Sequence, residues 1–202
     1  MFLLMILLLQ TKLGYLIKMD KITEETLAEL EKTQKEFWNI PRKTGVLINM
    51  FIKMMNIKSV LEIGTSNGYS GLWIAKALKE TGGKLTTIEY YEKRQSVAIE
   101  NFRKCGVLDI VRPLQGSAIE TIMALGPEEK FDFVFIDANK REYVEYFKLV
   151  KPHLTQKALI IADNIISHAE KVQTFVDAVA ADEEFQHEIV EVPGGILIAY
   201  RG

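Results

Sequence analysis

Two carboxylates and one carboxamide stand directly after apolar runs of this sequence. Asp137 follows the run at residues 131–136, and Asp163 and Asn164 follow the run at 158–162. If these runs are neighbouring parallel strands, their carboxyl ends meet at one edge of a sheet and the three side chains lie close together. Carboxylate and amide oxygens suit a hard cation such as Mg²⁺, which accepts substrate oxygens in its open positions. Each of the three residues could instead cap the helix that follows it.

A glycine turn lies upstream, in the segment Val-Leu-Glu-Ile-Gly-Thr-Ser-Asn-Gly-Tyr-Ser at residues 60–70. A short apolar strand ends at Gly64 and a helix begins after Gly68, an arrangement typical of sites for nucleotide-like cofactors. Gly64 permits a sharp turn, and Gly68 would let a ligand approach bare backbone. The dinucleotide fingerprint requires a glycine where Ser66 stands, so the match to that fingerprint is incomplete.

The ends of the second and third predicted strands carry polar groups as well. Glu89 ends the second strand, where a carboxylate can accept hydrogen bonds from both hydroxyls of a ribose. Gly116 and Ser117 form a turn after the third strand, and its backbone and hydroxyl could contact an adenine. The alternatives are a helix-capping acid and an ordinary turn.

These residues need a sheet that positions them. From residue 58 onward strand patterns alternate with helix patterns, which predicts an α/β fold of Rossmann-like type with right-handed crossovers. The sheet should have seven mostly parallel strands, with helices on both faces. The last two strands flank Pro193-Gly194-Gly195 and are predicted to form a hairpin, so one strand should run antiparallel. The predicted strands are 59–63, 84–89, 109–114, 131–136, 157–162, 186–192 and 195–200; the predicted helices are 22–38, 44–55, 69–81, 92–105, one from 117, 141–150 and 168–180.

Composition narrows the class of protein. With 202 residues, 48% hydrophobic and 26% charged, the chain is long enough to bury a core and is not disordered. A formal net charge of −2 gives no general attraction to nucleic acid, so we expect no nucleic-acid partner. Cys105 is the only cysteine, which excludes an intrachain disulfide and fits a reducing, cytoplasmic compartment.

The first residues differ from the rest of the sequence. Phe2–Leu9 is an unbroken apolar run that is too short to span a bilayer, and it lacks the flanks of a signal peptide. We expect residues 1–18 to be a hydrophobic extension and residues 19–202 to form a single domain. An interfacial anchor or a partner-binding helix is the alternative for residues 1–18.

The motifs in combination resemble one known family. Glu62-x-Gly64-x-x-x-Gly68-Tyr69-Ser70, Glu89, Asp137-x-x-Lys140-x-x-Tyr143 and Asp163-Asn164 occur in the same order and at similar spacings in the cation-dependent O-methyltransferases. That family contains catechol O-methyltransferase and caffeoyl-coenzyme A O-methyltransferase. The first of these motifs looks like motif I of the S-adenosylmethionine methyltransferases. The likeness extends from about Asn39 to Arg201.

The resemblance implies a class I methyltransferase fold, S-adenosylmethionine as cofactor and a small aromatic diol, catechol or hydroxycinnamoyl-like, as methyl acceptor. It implies that Asp137, Asp163 and Asn164 hold a divalent cation such as Mg²⁺ and that Lys140 is the general base. Homodimers are usual in the similar family. The implied cofactor-binding residues are Ile40, Glu62, Gly64, Gly68, Ser70, Glu89, Gly116, Ser117 and Asp137.

The sequence departs from the family pattern at two places. Ala138 and Asn139 follow Asp137, without the aromatic wall of the animal catechol enzyme or the acid that plant-type enzymes carry at the second position. The stretch from Ile165 to His168 is shorter than the plant-type loop that helps to form the substrate pocket and the dimer contact. The substrate contacts and dimer contacts of that loop are therefore not transferred.

Three other functions remain open on the sequence. The nearest is a metal-independent S-adenosylmethionine methyltransferase for another small molecule, which a chelator would leave active. An NAD-dependent oxidoreductase shares the sheet and the ribose acid but lacks the glycine at Ser66. A non-enzymatic binding module, tethered through residues 1–18, would fail to bind the cofactor. We do not expect a membrane as partner.

Overall fold

The computed structural model describes residues 19–202, and the predicted extension at 1–18 lies outside them. Seven strands form one sheet in the order β3-β2-β1-β4-β5-β7-β6, and β7 is antiparallel to both of its neighbours. The prediction of a mostly parallel seven-stranded sheet is confirmed. The strands are β1 (Ser59–Ile63), β2 (Lys84–Glu89), β3 (Val111–Gln115), β4 (Phe131–Ile136), β5 (Leu154–Asp163), β6 (Phe185–Val190) and β7 (Ile196–Arg201).

Helices cover both faces of this sheet. They are α1 (Lys21–Lys32), α2 (Gln34–Phe37), α3 (Arg42–Met54), α4 (Tyr69–Thr81), α5 (Glu92–Lys104), α6 (Ala118–Met123), α7 (Tyr143–Val150) and α8 (Ala169–Ala180). The helix predicted over 141–150 begins with a 3₁₀ turn at Lys140–Glu142 and becomes α-helical at Tyr143. None of the helices within residues 19–202 combines the length and the apolar character needed to cross a membrane.

The single helix predicted over 22–38 is wrong, because the chain forms two helices there. The hydroxyl and the backbone N–H of Thr33 both donate to the carbonyl oxygen of Leu30, at 3.0 and 3.1 Å, and end α1. The side chain of Asn39 donates to the same oxygen at 2.9 Å. With this oxygen occupied, the helical register is interrupted, and the short α2 ends at Trp38 in a left-handed conformation, φ +55°.

The core follows from the alternation of side chains along the strands. On β4, Phe133 and Phe135 face one layer, which contains α3, α4 and α5, whereas Val134 and Ile136 face the layer of α6, α7 and α8. All four of these side chains are fully buried. Burial on both faces is expected for a parallel sheet covered by helices and explains why residues 133–136 of β4 are all apolar.

Strand order reverses between β1 and β4. From β1 the chain adds β2 and β3 on one side, and it then crosses back to place β4 on the other side of β1. In open sheets a crevice forms beyond the carboxyl ends of the strands at such a point. A backbone hydrogen bond of 2.9 Å from Asp137 to the carbonyl oxygen of Ile63 joins the two strand ends. The predicted site residues therefore lie around this crevice.

Candidate functional site

A cavity of about 550 Å³ opens at the carboxyl ends of β1, β2, β3 and β4. Its walls are the turns that follow these strands and the segment 37–40 that precedes α3. The predicted site residues that line it are Ile40, Gly64, Ser70, Glu89, Gly116, Ser117, Asp137 and Lys140. Four predicted residues lie outside the lining: Glu62, Gly68, Asp163 and Asn164.

The two glycines of the turn after β1 have different surroundings. Gly64 has φ +103°, and a Cβ there would overlap the backbone oxygen of Asp137, so only glycine allows the ends of β1 and β4 to approach. Gly68 has φ +87°, and a Cβ there would lie 3.2 Å from Ala98 of α5. Gly68 therefore serves the packing of the turn against α5, whereas Gly64 shapes the floor of the cavity.

The N-terminus of α4 points into the cavity. Its N-cap is Gly68, which has no side chain to accept from the first amides of the helix. Asn67, Tyr69 and Ser70, around this helix start, line the cavity. The side-chain oxygen of Asn67 accepts from the first amide of the helix, the N–H of Tyr69, at 3.2 Å. The positive end of a 13-residue helix still makes this end suited to an anionic group such as a carboxylate.

Glu62 lies beneath this helix start and is fully buried. Its two carboxylate oxygens accept hydrogen bonds from the hydroxyls of Ser70, at 2.6 Å, and Thr87, at 2.5 Å. Burial raises the pKa of Glu62 to about 7, with smaller contributions from the charges of Asp137 and Glu89. Of the two hydroxyl groups that donate to Glu62, that of Ser70 belongs to a residue that lines the cavity.

Glu89 is held in place by the backbone on both sides of the cavity floor. One carboxylate oxygen accepts from the N–H of Ser66 at 2.8 Å, and the other accepts from the N–H of Tyr91 at 2.9 Å. A carboxylate oxygen has more than one lone pair, so each can accept a further hydrogen bond from a ligand. The geometry fits the bidentate recognition of two neighbouring hydroxyls that the sequence predicts for this residue.

Asp137 and Lys140 form an ion pair at the edge of the cavity. The Lys140 ammonium lies 2.6 Å from one oxygen of Asp137, and each side chain is about one-sixth exposed, at 17% and 15%. Lys140 also lies over the ring of Tyr143, with 5.6 Å between the ammonium and the ring centroid. The pair places a proton-carrying group and a carboxylate next to each other where a ligand can reach them.

Asp163 lies behind this pair and is almost fully buried. One of its carboxylate oxygens has no hydrogen-bond partner within residues 19–202. Burial and the charge of Asp137 raise the pKa of Asp163 to about 7. Asn164 follows in a left-handed conformation, φ +66°, and Tyr143 donates to the carbonyl oxygen of Asp163 at 3.2 Å.

A buried carboxylate oxygen without a partner, close to a second carboxylate, has the chemistry of a cation ligand. In the described part of the chain no three His, Cys, Asp or Glu side chains converge as a metal site. An ion held here would therefore depend on the amide of Asn164 and on oxygens of a ligand in addition to the two carboxylates. The donor set fits Mg²⁺, which retains water or substrate oxygens in several positions.

Sequence reasoning missed two groups of cavity residues. At the mouth, Trp38, Tyr90 and Tyr91 are 71%, 64% and 56% exposed, and Arg94 lies between Trp38 and Tyr91. The aromatic pair directly after Glu89 was a signal in the sequence, whereas Trp38 was hidden in the helix predicted over 22–38. Exposed aromatic side chains around a cavity suit a planar ligand.

The second group lies beside Lys140. Glu142 accepts hydrogen bonds from the amide of Asn139, at 2.7 Å, and from the hydroxyl of Tyr146, at 2.5 Å, and all three residues line the cavity. Asn139 also caps the turn that carries Lys140 by accepting from the N–H of Arg141 at 3.3 Å. This network of residues three and four positions apart fixes one wall of the cavity.

Comparisons with known proteins agree on one family. The family model described as O-methyltransferase matches residues 17–201. A catechol O-methyltransferase of Niastella koreensis is 37% identical over 124 residues, which are 60% of this chain and 56% of that protein. A caffeoyl-CoA O-methyltransferase of Eucalyptus globulus is 33% identical over 149 residues, 70% of this chain and 60% of that protein. The matches thus span less than two thirds of either relative.

A solved structure extends the likeness to nearly the whole chain. The O-methyltransferase of Bacillus cereus in complex with SAH superimposes with a TM-score of 0.82 at 25% identity, and the match covers 93% of each chain. The seven-stranded sheet and its surrounding helices are therefore shared with that protein.

Proposed function

The chain belongs to the O-methyltransferase family, and from this premise we propose that it transfers a methyl group from S-adenosylmethionine to an oxygen atom of a small molecule. The observation that carries the proposal is the cavity at the switch point of the sheet. It combines a helix start, a fixed carboxylate at Glu89 and an ion-paired lysine at Lys140. The structure of the Bacillus cereus relative holds SAH, the demethylated form of this cofactor.

The cradle supports a defined orientation of the cofactor. Glu89 would accept from the two ribose hydroxyls, since both of its oxygens are already positioned by the backbone. The start of α4 beside Ser70 would bind the carboxylate of the methionine moiety. The turn at Gly116 and Ser117 lies on the same cavity wall as Glu89 and would contact the adenine. Gly64, Ile40 and Asp137 then enclose the sulfonium end.

The acceptor would lie between the cofactor and Lys140. Lys140 would take the proton of the reacting hydroxyl, and the Glu142 network would hold the wall beside it. A cation bound by Asp137, Asp163 and Asn164 would lower the pKa of an acceptor hydroxyl. Because the methyl donor is already activated, most of the remaining acceleration would come from aligning the acceptor oxygen with the methyl group.

We propose a small aromatic diol as the acceptor. Two neighbouring hydroxyls match a pair of open positions on a cation bound at this edge, and aromatic side chains surround the mouth of the cavity. The names of the two curated relatives, catechol and caffeoyl-CoA O-methyltransferase, support this class. The runner-up is a methyltransferase without a metal, in which Asp137 and Asp163 only orient the acceptor.

The test measures release of S-adenosylhomocysteine from S-adenosylmethionine with a panel of catechols and hydroxycinnamoyl esters. Each acceptor is assayed with Mg²⁺ and again with EDTA. Turnover that EDTA abolishes and Mg²⁺ restores supports the metal-assisted reaction. Turnover indifferent to EDTA supports the runner-up, and absence of turnover together with absence of cofactor binding would refute both.

A further inference from the structure

Ser66 stands in the turn after β1, at the position where the dinucleotide fingerprint has a glycine. Its backbone is left-handed, with φ +49°, a conformation that costs a serine free energy and a glycine almost none. Ser66 also lines the cavity. A strained residue beside a binding cavity indicates that its side chain has a role there.

Ser66 donates hydrogen bonds to two different walls of the cavity. Its backbone N–H donates to one carboxylate oxygen of Glu89 at 2.8 Å, and its hydroxyl donates to the carbonyl oxygen of Phe37 at 3.0 Å. Glu89 and Phe37 both line the cavity. One residue therefore joins the carboxylate that would bind the ribose to the C-terminal end of α2.

The carbonyl oxygen of Phe37 depends on this hydroxyl. Phe37 is the last residue of α2, and the amide that would reach its oxygen in a longer helix belongs to Pro41, which has no N–H. In the part of the chain that the structure describes, Ser66 is the one hydrogen-bond donor to this oxygen. Removal of the hydroxyl would therefore free the end of α2 from the turn after β1.

Few other contacts hold α2 in place. It is four residues long, and none of its side chains is buried. The hydrogen bonds of Asn39, which follows it, return to α1 and α2 themselves. Apart from the stacking of Trp38 on Arg94, the polar contact between α2 and the rest of the cavity is the bond from Ser66. Elements with few buried contacts open locally at a low cost in free energy.

We propose that Ser66 is a positioning residue for the cofactor, whose hydroxyl holds α2 closed at the cavity and so slows release of the cofactor. The proposal rests on the proposed function. Glu89 would hold the ribose, and the segment 37–40 forms another wall of the same cavity. Without the hydroxyl, α2 opens more often and the bound cofactor leaves sooner. Changes of this kind act mainly on the dissociation rate.

The experiment uses Ser66→Gly and Ser66→Ala, which both remove the hydroxyl and keep the backbone N–H. Glycine relieves the strain of the positive φ and alanine retains it, so an effect shared by both variants belongs to the hydroxyl. In both, the dissociation rate of radiolabelled S-adenosylhomocysteine, chased with unlabelled ligand, should rise about fivefold, as expected for loss of one neutral hydrogen bond. Ser96→Ala is the matched control, because it removes the hydroxyl of an exposed serine on α5 outside the cavity lining.

Hydrogen–deuterium exchange of the protein without ligand tests the same bond independently of cofactor binding. Exchange of the amides of residues 34–40 should rise about fivefold in both Ser66 variants, with no rise in β1 and β4. An unchanged exchange rate at 34–40, a rise that spreads over the central strands, an unchanged dissociation rate, or an equal effect in Ser96→Ala would each overturn the proposal. Absence of S-adenosylhomocysteine binding by the wild type would instead refute the proposed function, and this proposal with it.

Discussion

Replacing Glu62 with glutamine should make the free energy of unfolding fall less as the pH rises to neutrality and above. Burial raises the pKa of Glu62 from 4.5 to about 7, so the folded state binds this proton more tightly than the unfolded state does. The stabilisation from the bound proton is fully present below pH 4.5 and is lost as the pH rises through 7. A separation of this size between the two pKa values corresponds to about 3 kcal/mol of unfolding free energy.

Glu62→Gln removes the titrating proton but preserves the shape of the side chain. The amide oxygen can still accept one hydroxyl, and the second hydroxyl, of Ser70 or Thr87, can rotate to accept from the new NH₂ group. The unfolding free energy of the variant minus that of the wild type should therefore rise by about 3 kcal/mol between pH 4 and pH 8. Asp163 also has a raised pKa, so it too lowers the free energy of unfolding as the pH rises. Its contribution is the same in both proteins and cancels in the difference.

Urea unfolding of the protein without ligands, at pH intervals from 4 to 8, measures this difference. Glu183→Gln is the control, since Glu183 is exposed and should shift the curves by less than about 0.5 kcal/mol at any pH. Parallel stability curves for Glu62→Gln and the wild type would refute the reasoning, because they would mean that the buried carboxyl group does not titrate differently on unfolding.

Three further changes test other parts of the site. Glu89→Gln should weaken binding of S-adenosylhomocysteine roughly tenfold by calorimetry, since charged acceptors form the stronger hydrogen bonds, whereas Glu92→Gln outside the cavity should not. Lys140→Met should lower kcat by about 10² to 10⁴ with unchanged cofactor affinity, as loss of a general base does; a parallel loss of affinity would contradict the assignment. Gly64→Ala should cost more than about 3 kcal/mol in urea unfolding, because backbone overlap adds to the strain of a positive φ, whereas Gly82→Ala in open space should cost about 1 kcal/mol.

The sequence predicted the sheet well because the central strands are short, mostly apolar segments that alternate with helix patterns. The strands 59–63, 84–89 and 131–136 and the helix 69–81 have the predicted bounds. Prediction was weaker where tertiary contacts decide the outcome: β5 begins at Leu154 because Leu154 pairs with Phe131 across a register shift. The same holds for the break of the first helix, which depends on a carbonyl oxygen shared by Thr33 and Asn39.

The site was predictable to the extent that its residues stand at strand ends. Glu89 and Asp137 are at such ends, and parallel strands bring their carboxyl ends to one edge. Arg94 and Trp38 could not be found in this way, because their contact joins a helix to a turn far away in the sequence. The role of Gly68 was also hidden, since the packing of α5 against it is a property of the folded chain.

The distribution of charge at this edge is the strongest physical argument that it binds cationic ligands. Glu62, Glu89, Asp137 and Asp163 lie around the ends of four neighbouring strands, and Lys140 is ion-paired with only one of these residues. Mutual repulsion adds to burial in raising the pKa values of Glu62 and Asp163, so this arrangement weakens the fold of the protein alone at neutral pH. A sulfonium cofactor and a divalent cation would both supply positive charge where these carboxylates lack it. The cost in stability is therefore the expected counterpart of the proposed function, since Lys140 balances only one of the four negative charges and one oxygen of Asp163 has no hydrogen-bond partner within residues 19–202.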